Sequence, residues 1–243
     1  MKESSLRRQA VSPAAAYVGG KRQLAGEITK RIEKIQHDTY AEPFVGMGGV
    51  FLRRRFAARA EVINDYNQDV ATFFRVLQRH YAAFLEMMRF QITSRAMFER
   101  LKATPPETLT DLERSARFLY LQRTAFGGKV VGRNFGVDVT AGAAFNVTKI
   151  IPILEELHDR LAGVTIECLP YADFIRRYDR PGTLFFLDPP YWAARTITAR
   201  ACSAAPTSSS LPSSSAASKA ASYSRSTTCR RSAGFSGRSS RNR

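Results

Sequence analysis

Eight consecutive residues near position 190 combine a buried strand with groups that could hold a reactive amine. Leu184-Phe185-Phe186-Leu187 is an unbroken apolar run, typical of a strand buried on both faces within a parallel sheet. Asp188-Pro189-Pro190-Tyr191 follows, and because proline cannot continue a central strand, the strand is predicted to end at Asp188. The carboxylate and the Tyr191 ring are then expected at the carboxyl edge of the sheet, where open α/β sheets bind ligands.

Such an edge is suited to helping a weak amine attack an electrophile. An exocyclic amino group on an aromatic ring is a poor nucleophile, because its lone pair is delocalised into the ring. The Asp188 carboxylate and the Pro189 carbonyl, held rigidly by Pro190, could accept hydrogen bonds from its two protons and stabilise the developing positive charge. Tyr191 offers a face on which a flipped base could stack. The structural alternative is a strand, a Pro-Pro turn and a core tyrosine, and these residues alone do not decide between the two.

A second candidate element is the glycine-rich segment Glu42-Pro43-Phe44-Val45-Gly46-Met47-Gly48-Gly49. A strand before it and a helix start after it are typical of the first unit of a nucleotide-binding half-fold. Phe51 stands where the third glycine of the dinucleotide fingerprint belongs, which favours a nucleoside-type cofactor without phosphate. Asp65, nineteen residues after Gly46 and after the next predicted strand, is placed to accept hydrogen bonds from ribose hydroxyls. Asn64-Asp65-Tyr66-Asn67 also fits a helix N-cap, and both roles are compatible.

The elements around these residues predict an α/β chain with an insertion. Tyr17-Val18-Gly19-Gly20-Lys21-Arg22 precedes an amphipathic helix, and its Gly-Gly-Lys turn would let the backbone approach a ligand beside a cation. A helix over 148–161, a strand over 164–168 and the strand ending at Asp188 resume the α/β pattern. Residues 68–147 lie between the second and third predicted sheet strands and are predicted to form a mostly helical insert.

The insert contains helical patterns and one basic loop. Residues 68–90 predict a helix with an apolar stripe, residues 91–109 are polar and broken by prolines, and Thr110-x-x-Glu113 predicts a capping box. The glycine-rich stretch 127–136 predicts a hairpin or loop that carries basic side chains outward. The candidates for phosphate contact in this region are Arg123, Lys129 and Arg133. A solvated basic surface is the alternative.

Asp173-Phe174 follows the strand over 164–168, where an adenine ring could be sandwiched and its amino group bound. The alternative is an acid at a helix N-terminus beside a core phenylalanine.

Composition limits the classes of partner. No run of about eighteen apolar residues is present, and the basic N-terminus lacks the apolar stretch of a signal peptide, so no membrane association is predicted. Residues 193–243 carry nine of the 37 basic side chains and none of the 21 acidic ones, which leaves +7 of the total +16 on the rest. That excess favours a polyanionic partner. Three cysteines without metal or disulfide spacing predict no metal site and fit a reducing cytoplasm.

Four motifs occur in a characteristic order: Tyr17-Val18-Gly19-Gly20-Lys21-Arg22, Glu42-Pro43-Phe44-x-Gly46-x-Gly48, Asn64-Asp65-x-Asn67 and Asp188-Pro189-Pro190-Tyr191. Over about residues 14–192 the chain resembles the Dam-type DNA adenine-N6 methyltransferases, which use S-adenosylmethionine and often occur in phage and restriction–modification systems. The resemblance implies a Rossmann-like methyltransferase sheet, with a catalytic core at 14–67 and 148–192 and a target-recognition insert at 68–147. Families that methylate cytosine amino groups or protein amides typically have Ser or Asn where Asp188 stands, which disfavours those acceptors.

The resemblance also implies the activity and its setting. A methyl group would pass from S-adenosylmethionine to the exocyclic amino group of an adenine flipped out of double-stranded DNA. The protein would act as a monomer in the cytoplasm of a bacterial or phage-infected cell. No pattern in the insert identifies the target sequence.

Roles follow for the residues that match the family's motifs. Tyr17 stands where the family usually has Trp, and with Lys21 it would line the cofactor pocket near the methionine end. Asp65 would hold the ribose, Asp173 and Phe174 would hold the cofactor's adenine, and Asp188 would lie close to the cofactor. The further motif residues predicted to bind cofactor are Glu42, Phe44, Gly46 and Gly48, and the predicted catalytic residues are Asp188, Pro189, Pro190 and Tyr191.

Both ends of the chain are predicted to lack a fixed structure. Residues 1–13 are expected to be a disordered leader. Residues 193–243 contain fifteen Ser, nine basic residues and no acid, a composition that predicts disorder. A reading-frame shift near codon 193 is favoured over a natural basic tail, and we expect it to leave the core incomplete and this copy weakly active or inactive. The alternative function is a non-catalytic, cofactor-binding remnant that associates with nucleic acid through its basic surface and tail.

Overall fold

The computed structural model describes residues 6–136, 140 and 142–190, and its central feature is a parallel β-sheet with helices packed around it. In chain order the strands are β1 (Leu6–Arg7), β2 (Thr39–Glu42), β3 (Phe56–Ala57), β4 (Ala60–Asn64), β5 (Thr165–Glu167) and β6 (Thr183–Phe185). The helices are α1 (Ala25–Glu33), α2 (Gln68–Arg79), α3 (Tyr81–Met88), α4 (Arg95–Ala103), α5 (Asp111–Thr124), α6 (Val147–Leu161) and α7 (Tyr171–Tyr178). Short 3₁₀ turns occupy Phe51–Arg53, Pro106–Thr108 and Phe126–Gly128.

The main sheet has the strand order β5-β4-β2-β6, and its three strand pairs are all parallel. Thr39 of β2 lies opposite both Ala60 of β4 and Thr183 of β6, while Val62 lies opposite Thr165 of β5. Parallel strands bring their carboxyl ends to one edge, so the segments that follow β2, β4, β5 and β6 meet there. The predicted α/β class with a parallel, Rossmann-like sheet is confirmed.

The apolar run 184–187 differs from the strand predicted to be buried on both faces. β6 ends at Phe185, although the Phe186 N–H still donates to the Ala41 carbonyl at 3.0 Å. Leu184 is buried, whereas Leu187 is 44 % exposed. Among the residues that the structure describes, β6 pairs with β2 alone, and a strand with one neighbour leaves side chains exposed that a central strand would bury.

The helices of the predicted insert share one hydrophobic core with α6 and the sheet. The Phe73 ring of α2 lies 6.1 Å from Phe84 of α3 and 5.8 Å from Phe118 of α5, measured between ring centroids. Leu154 and Leu157 of α6 belong to the same buried cluster. The insert is therefore mostly helical, and its apolar faces help to support the sheet.

Local capping signals explain where the helices of this region begin. The predicted capping box is present: the Thr110 hydroxyl accepts from the Glu113 N–H at 3.3 Å, and Glu113 accepts from the Thr110 N–H at 2.9 Å. The polar stretch 91–109 nevertheless contains α4. Ser94 caps that helix by accepting from the Met97 N–H at 3.4 Å, and Phe98 is its buried anchor.

Residues 6–13 correct the predicted disordered leader. β1 pairs antiparallel with β3, the Arg8 N–H donates to the Arg55 carbonyl at 2.7 Å, and the Val11 N–H donates to the Leu52 carbonyl at 2.9 Å. Val11 is buried in the main core. Because these backbone groups are paired and an apolar side chain is buried, the segment is held against the sheet. Residues 1–5 lie outside the described part.

A buried ionic network lies at the amino ends of the strands. Glu61, near the start of β4, accepts from Arg54 Nη1 at 2.5 Å and from Arg160 Nη1 at 2.7 Å. The three side chains are 6 %, 2 % and 2 % exposed, respectively. The guanidinium of Arg54 also lies 3.7 Å from the Tyr40 ring centroid, and that of Arg160 lies 4.0 Å from the Phe51 ring centroid. The network joins β2, β4 and α6 at this end of the sheet.

Within the described ranges, no helix is long and apolar enough to span a bilayer. The same ranges contain no group of three or more His, Cys, Asp or Glu arranged to hold a metal ion.

Candidate active site at the carboxyl edge

Asp65 joins the glycine turn after β2 to the end of β4. Its Oδ2 accepts from the Gly46 N–H and its Oδ1 from the Asn67 N–H, both at 2.9 Å. Burial raises the pKa of Asp65 to about 6, against the lowering effect of these two hydrogen bonds. Two carboxylate oxygens provide about four acceptor positions, so further donors such as ribose hydroxyls can be accepted. The predicted helix cap is also present, because Asn67 accepts from the Asp69 N–H at 3.0 Å at the start of α2.

The glycine turn has room for backbone only. Gly46 has a φ of +52°, and a Cβ there would lie 3.0 Å from Cδ1 of the Tyr17 ring. Gly48 has a φ of +76°, and a Cβ there would lie 2.8 Å from the Leu52 side chain. Both positions therefore require glycine for conformation and for space. The half-buried Tyr17 ring closes one side of the turn, and burial raises the pKa of Tyr17 above its ordinary value.

Lys21 and Asp188 form an ion pair across the sheet edge. Lys21 Nζ lies 2.7 Å from Asp188 Oδ1 and 2.6 Å from Oδ2, and it also donates to the Gly19 carbonyl at 3.0 Å. The two side chains are 17 % and 26 % exposed. Two motifs that are 167 residues apart in sequence are thus in direct contact. An amine that uses Asp188 as its acceptor has to share it with Lys21 or replace that ammonium group.

A buried carboxyl group lies near Asp188. Glu42, the last residue of β2, is 2 % exposed and accepts from the Tyr40 hydroxyl at 2.7 Å. Burial raises the pKa of Glu42 to about 8; the Tyr40 hydrogen bond opposes this rise, and the charge of Asp188 adds to it. The site therefore holds one carboxyl group that is mostly protonated at neutral pH beside Asp188. Tyr40 was missed from sequence, although its spacing of two residues places it on the same strand face as Glu42.

Asn64 fixes three segments at this edge. Its Nδ2 donates to the Pro43 carbonyl at 2.9 Å and to the Leu169 carbonyl at 3.1 Å, while its Oδ1 accepts from the Leu169 N–H at 2.8 Å. The glycine turn, the end of β4 and the segment after β5 are thereby held together. Sequence reasoning gave Asn64 no such role, because its partner Leu169 is 105 residues away.

An aromatic pair lies beside the glycine turn. The Phe44 ring is 5.7 Å from the Tyr171 ring between centroids, and Tyr171 is 54 % exposed. Tyr171 opens α7 just after β5, a position at the carboxyl edge that could have identified it from sequence. The two rings offer apolar faces to a planar ligand.

Phe174 does not have the environment predicted for it. The side chain is fully buried against Ala41, Val62 and Phe185, so both faces of its ring are in the core and no adenine can be sandwiched there. Asp173 lies in the first turn of α7 and pairs with Arg176 at 2.6 Å. This arrangement corrects the adenine-binding prediction for Phe174 and matches its alternative, a core phenylalanine next to a helix-terminal acid.

The three basic residues predicted to point outward have different environments. Arg133 is buried, and it donates to the Gln122 side chain at 3.2 Å and to the Lys129 carbonyl at 3.0 Å, so an outward orientation is wrong for it. Arg123 is half-buried and donates to the Ala14 carbonyl at 2.5 Å. Both guanidinium groups donate hydrogen bonds to backbone or amide oxygens of the surrounding loops. These partners cannot be identified from the sequence. Lys129 is exposed, as predicted.

Tyr191 and the tail 193–243 lie outside the described residues, so the predictions made for them stay predictions. Pro189 and Pro190 directly follow Asp188 and are exposed.

The fold and the site define an α/β protein that brings the Lys21–Asp188 pair and a glycine turn held by Asp65 to one edge of a parallel sheet. A family model described as D12 class N6 adenine-specific DNA methyltransferase matches residues 17–227, and the chain belongs to that family. The resemblance to Dam-type adenine methyltransferases is thereby confirmed.

Three relatives illustrate the similarity. The Type II methyltransferase M1.LlaDCHI of Lactococcus lactis subsp. cremoris is 27% identical over 192 residues, which cover 74% of this chain and 65% of that protein. The DNA N-6-adenine-methyltransferase of Escherichia phage P1 is 27% identical over 201 residues, covering 77% and 26%. The DNA adenine methylase of Salmonella typhi is 24% identical over 181 residues, covering 72% and 63%. The chain thus spans less than two thirds of the length of each.

Proposed function

We propose that this chain carries out site-specific methylation of DNA, moving a methyl group from S-adenosylmethionine to the exocyclic amino group of adenine. The observation that carries the proposal is the meeting of two contacts at one sheet edge. Asp65 holds the Gly46 turn there, and Lys21 pairs with Asp188 beside it. Membership of the D12 family and the names of the relatives support adenine in DNA as the acceptor.

The residues at this edge fit S-adenosylmethionine. Asp65 has acceptor positions left for ribose hydroxyls, and its bond to the Gly46 N–H holds the glycine turn beside it. The rings of Tyr17, Phe44 and Tyr171 supply apolar surface for the adenosine part, and the Asp188 carboxylate favours a cation nearby. When bound, the cofactor supplies an electrophilic methyl group on a positively charged sulfur.

Asp188 and Pro189 are the groups that would position the target amine. Hydrogen bonds from the amino protons to the carboxylate and to the Pro189 carbonyl direct the nitrogen lone pair outward and stabilise charge that develops on nitrogen. Lys21 occupies both oxygens of Asp188 before the base arrives, so it keeps the carboxylate oriented and yields at least one oxygen on binding. Tyr191 is the candidate stacking partner for the flipped base, on the strength of its place in the motif.

The DNA contacts of the insert are reduced to two candidates. Lys129 is exposed and Arg123 is half-buried, with Nη1 bonded to the Ala14 carbonyl, whereas Arg133 is buried. These residues and the net charge of the chain support binding of double-stranded DNA near the edge.

Transfer of labelled methyl from S-adenosylmethionine to unmethylated duplex DNA tests the proposal, with N6-methyladenine identified after digestion to nucleosides. Asp188→Asn keeps the side-chain shape and is expected to lower the transfer rate by on the order of 10²–10³-fold, because the charge that stabilises the transition state is lost. Label found in cytosine or in protein, or an unchanged rate in Asp188→Asn, would contradict it. A frame-restored version of the gene, assayed in parallel, tests the separate prediction that the tail weakens activity.

A further inference from the structure

A cleft lined by three arginines opens beside the ribbon formed by β1 and β3. Its volume is about 560 Å³, and it is lined by Arg7, Arg8, Gln9, Ala10 and Arg55. Among the described residues, no acidic side chain lines it. In the part of the chain that the structure describes, none of these arginines enters an ion pair, and Arg8 Nε is buried without a hydrogen-bond partner.

Backbone pairing holds both walls of this arginine cleft in place. Arg7 lies opposite Phe56 in the ribbon, and the Arg8 N–H donates to the Arg55 carbonyl at 2.7 Å. Arg54, next to Arg55, is anchored in the buried network with Glu61. The cleft is therefore preformed, and little backbone order would be lost on binding a ligand.

Exposed arginines without an acidic partner also occur elsewhere in the described residues, for example Arg22 and Arg79, but this cleft brings three arginines together, whereas other exposed arginines are paired with an acid. Arg75 pairs with Asp111 at 2.7 Å, Arg89 with Glu86 at 3.2 Å and Arg176 with Asp173 at 2.6 Å. Three like charges around one cleft repel one another, and an anion placed between them relieves that repulsion. Guanidinium groups present planar forks of donors that match phosphate oxygens, so phosphate is the fitting class of ligand.

The cleft is separate from the candidate active site. β3 directly precedes the amino end of β4, and Asp65 follows the carboxyl end of that strand. Five residues at about 3.3 Å each put roughly 15 Å of strand between the two. A duplex carries a phosphate about every 3.4 Å along each strand, so a DNA segment extending past the target site has phosphates at that range.

We infer that the arginine cleft binds backbone phosphates of duplex DNA outside the sequence that is methylated. The choice of DNA as the source of the phosphates rests on the proposed function, since the same three arginines would accept inorganic phosphate. The contact adds sequence-independent affinity, which holds the protein on DNA while it reaches its target.

The salt dependence of DNA binding by the full chain tests this inference. Arg7→Gln/Arg8→Gln/Arg55→Gln is expected to reduce the slope of log K against log salt by about 2.7 on a duplex of about 40 base pairs, because it removes three phosphate contacts of about 0.9 each. If Arg8 is needed for folding, the double variant Arg7→Gln/Arg55→Gln replaces the triple one, because it changes exposed side chains only. It is expected to lower the slope by about 1–2. Cofactor affinity and the unfolding midpoint should stay unchanged in the double variant.

The matched control is Arg75→Gln/Arg89→Gln/Arg176→Gln, which removes the same charge from paired arginines elsewhere. An equal slope change in this control, or no slope change in the cleft variants, would overturn the inference. A third outcome would overturn the inference by assigning the cleft to a small anion. In that case the parent binds inorganic phosphate, the cleft variants do not, and the salt slope of DNA binding is the same in both. If the parent methylates DNA but the cleft variants keep its salt slope, this inference alone is defeated. If the parent binds DNA through the cleft, but neither the parent nor the frame-restored version transfers methyl, the proposed function alone is defeated.

Discussion

The two ends of the parallel sheet both carry carboxylates paired with cations, yet the pairs differ in burial and in the number of cations that contact each carboxylate. At the amino ends, Glu61 is held by two arginines, and all three side chains are at most 6 % exposed. At the carboxyl edge, Lys21 and Asp188 are 17 % and 26 % exposed. The first pairing is closed to other partners, whereas the second can exchange one partner for another.

This difference follows from where each end of the strands lies in the chain. The amino ends follow helices and turns that pack back on the sheet, so Arg160 at the end of α6 is directed into the core. The carboxyl ends lead into the glycine turn and the Asp-Pro-Pro segment, where Asp188 is half-buried and Pro189 and Pro190 are exposed. The same chemical groups are therefore fully buried at one end and partly exposed at the other, where the proposed function needs them accessible.

Removing the carboxylate of the buried network should have the largest effect. Glu61→Gln leaves Arg54 and Arg160 buried without a countercharge, and we expect the free energy of unfolding to fall by about 3–5 kcal/mol. Urea unfolding followed by circular dichroism measures the change. Asp111→Asn is the control, because it breaks the exposed pair with Arg75 and should cost no more than about 0.5 kcal/mol. A loss below about 1 kcal/mol in Glu61→Gln would show that the network is not buried as described.

The buried carboxyl beside the site should make stability depend on pH. The pKa of Glu42 is raised to about 8 in the folded protein, so between about pH 4.5 and 8 the unfolded chain loses this proton and the folded protein keeps it. Folded stability should therefore fall as pH rises through that window, by up to about 1.4 kcal/mol per pH unit, relative to Glu42→Gln. Unfolding curves of both proteins from pH 4 to 9 provide the comparison. Parallel pH profiles would mean that Glu42 ionises in the folded state as it does in water.

Replacing Asp65 should affect cofactor affinity more than stability. Asp65→Ala removes the acceptor of the Gly46 N–H and of the proposed ribose hydroxyls, and we expect S-adenosylmethionine binding to weaken by about 1–3 kcal/mol. Isothermal calorimetry measures this loss. Asp111→Ala is a matched control, because Asp111 is exposed and paired with Arg75. Equal affinities for Asp65→Ala and the parent would remove Asp65 from the cofactor site.

Local patterns in the sequence predicted those features of the two sheet ends and of the helices that depend on short stretches of chain. The capping box at Thr110 and the glycine turn both follow from the properties of adjacent residues, whereas the strand predicted to end at Asp188 ends at Phe185. Because parallel strands share one carboxyl edge, the order of the motifs was enough to predict that they meet.

Contacts between distant residues could not be predicted in this way. Arg133 is basic and lies in a glycine-rich loop, which favours exposure, but the Gln122 side chain and the Lys129 carbonyl need its donors. Phe174 follows a strand end like a ligand-binding residue, yet the sheet face needs an aromatic ring to cover Ala41 and Val62. In both cases the position of the side chain is set by atoms that come close to it only in the folded chain.

A double-mutant cycle at each end of the sheet gives the finest test of the comparison. Lys21→Met and Asp188→Asn, alone and together, should show a coupling in the free energy of unfolding of about 0.2–1 kcal/mol, because water screens a partly exposed pair. Arg160→Met and Glu61→Gln should couple more strongly, since the pair is desolvated and bidentate, at 2.7 Å and 3.0 Å.

A coupling at the Lys21–Asp188 pair as large as that at the buried pair would contradict the proposed role of this edge. Strong coupling would mean that displacing Lys21 from Asp188 costs several kcal/mol, and an adenine amine brings no full charge with which to offset that cost. Weak coupling is what the mechanism needs, because Asp188 then exchanges an ammonium partner for a neutral amino group at little expense. The partial exposure of this pair is therefore what the proposed function requires.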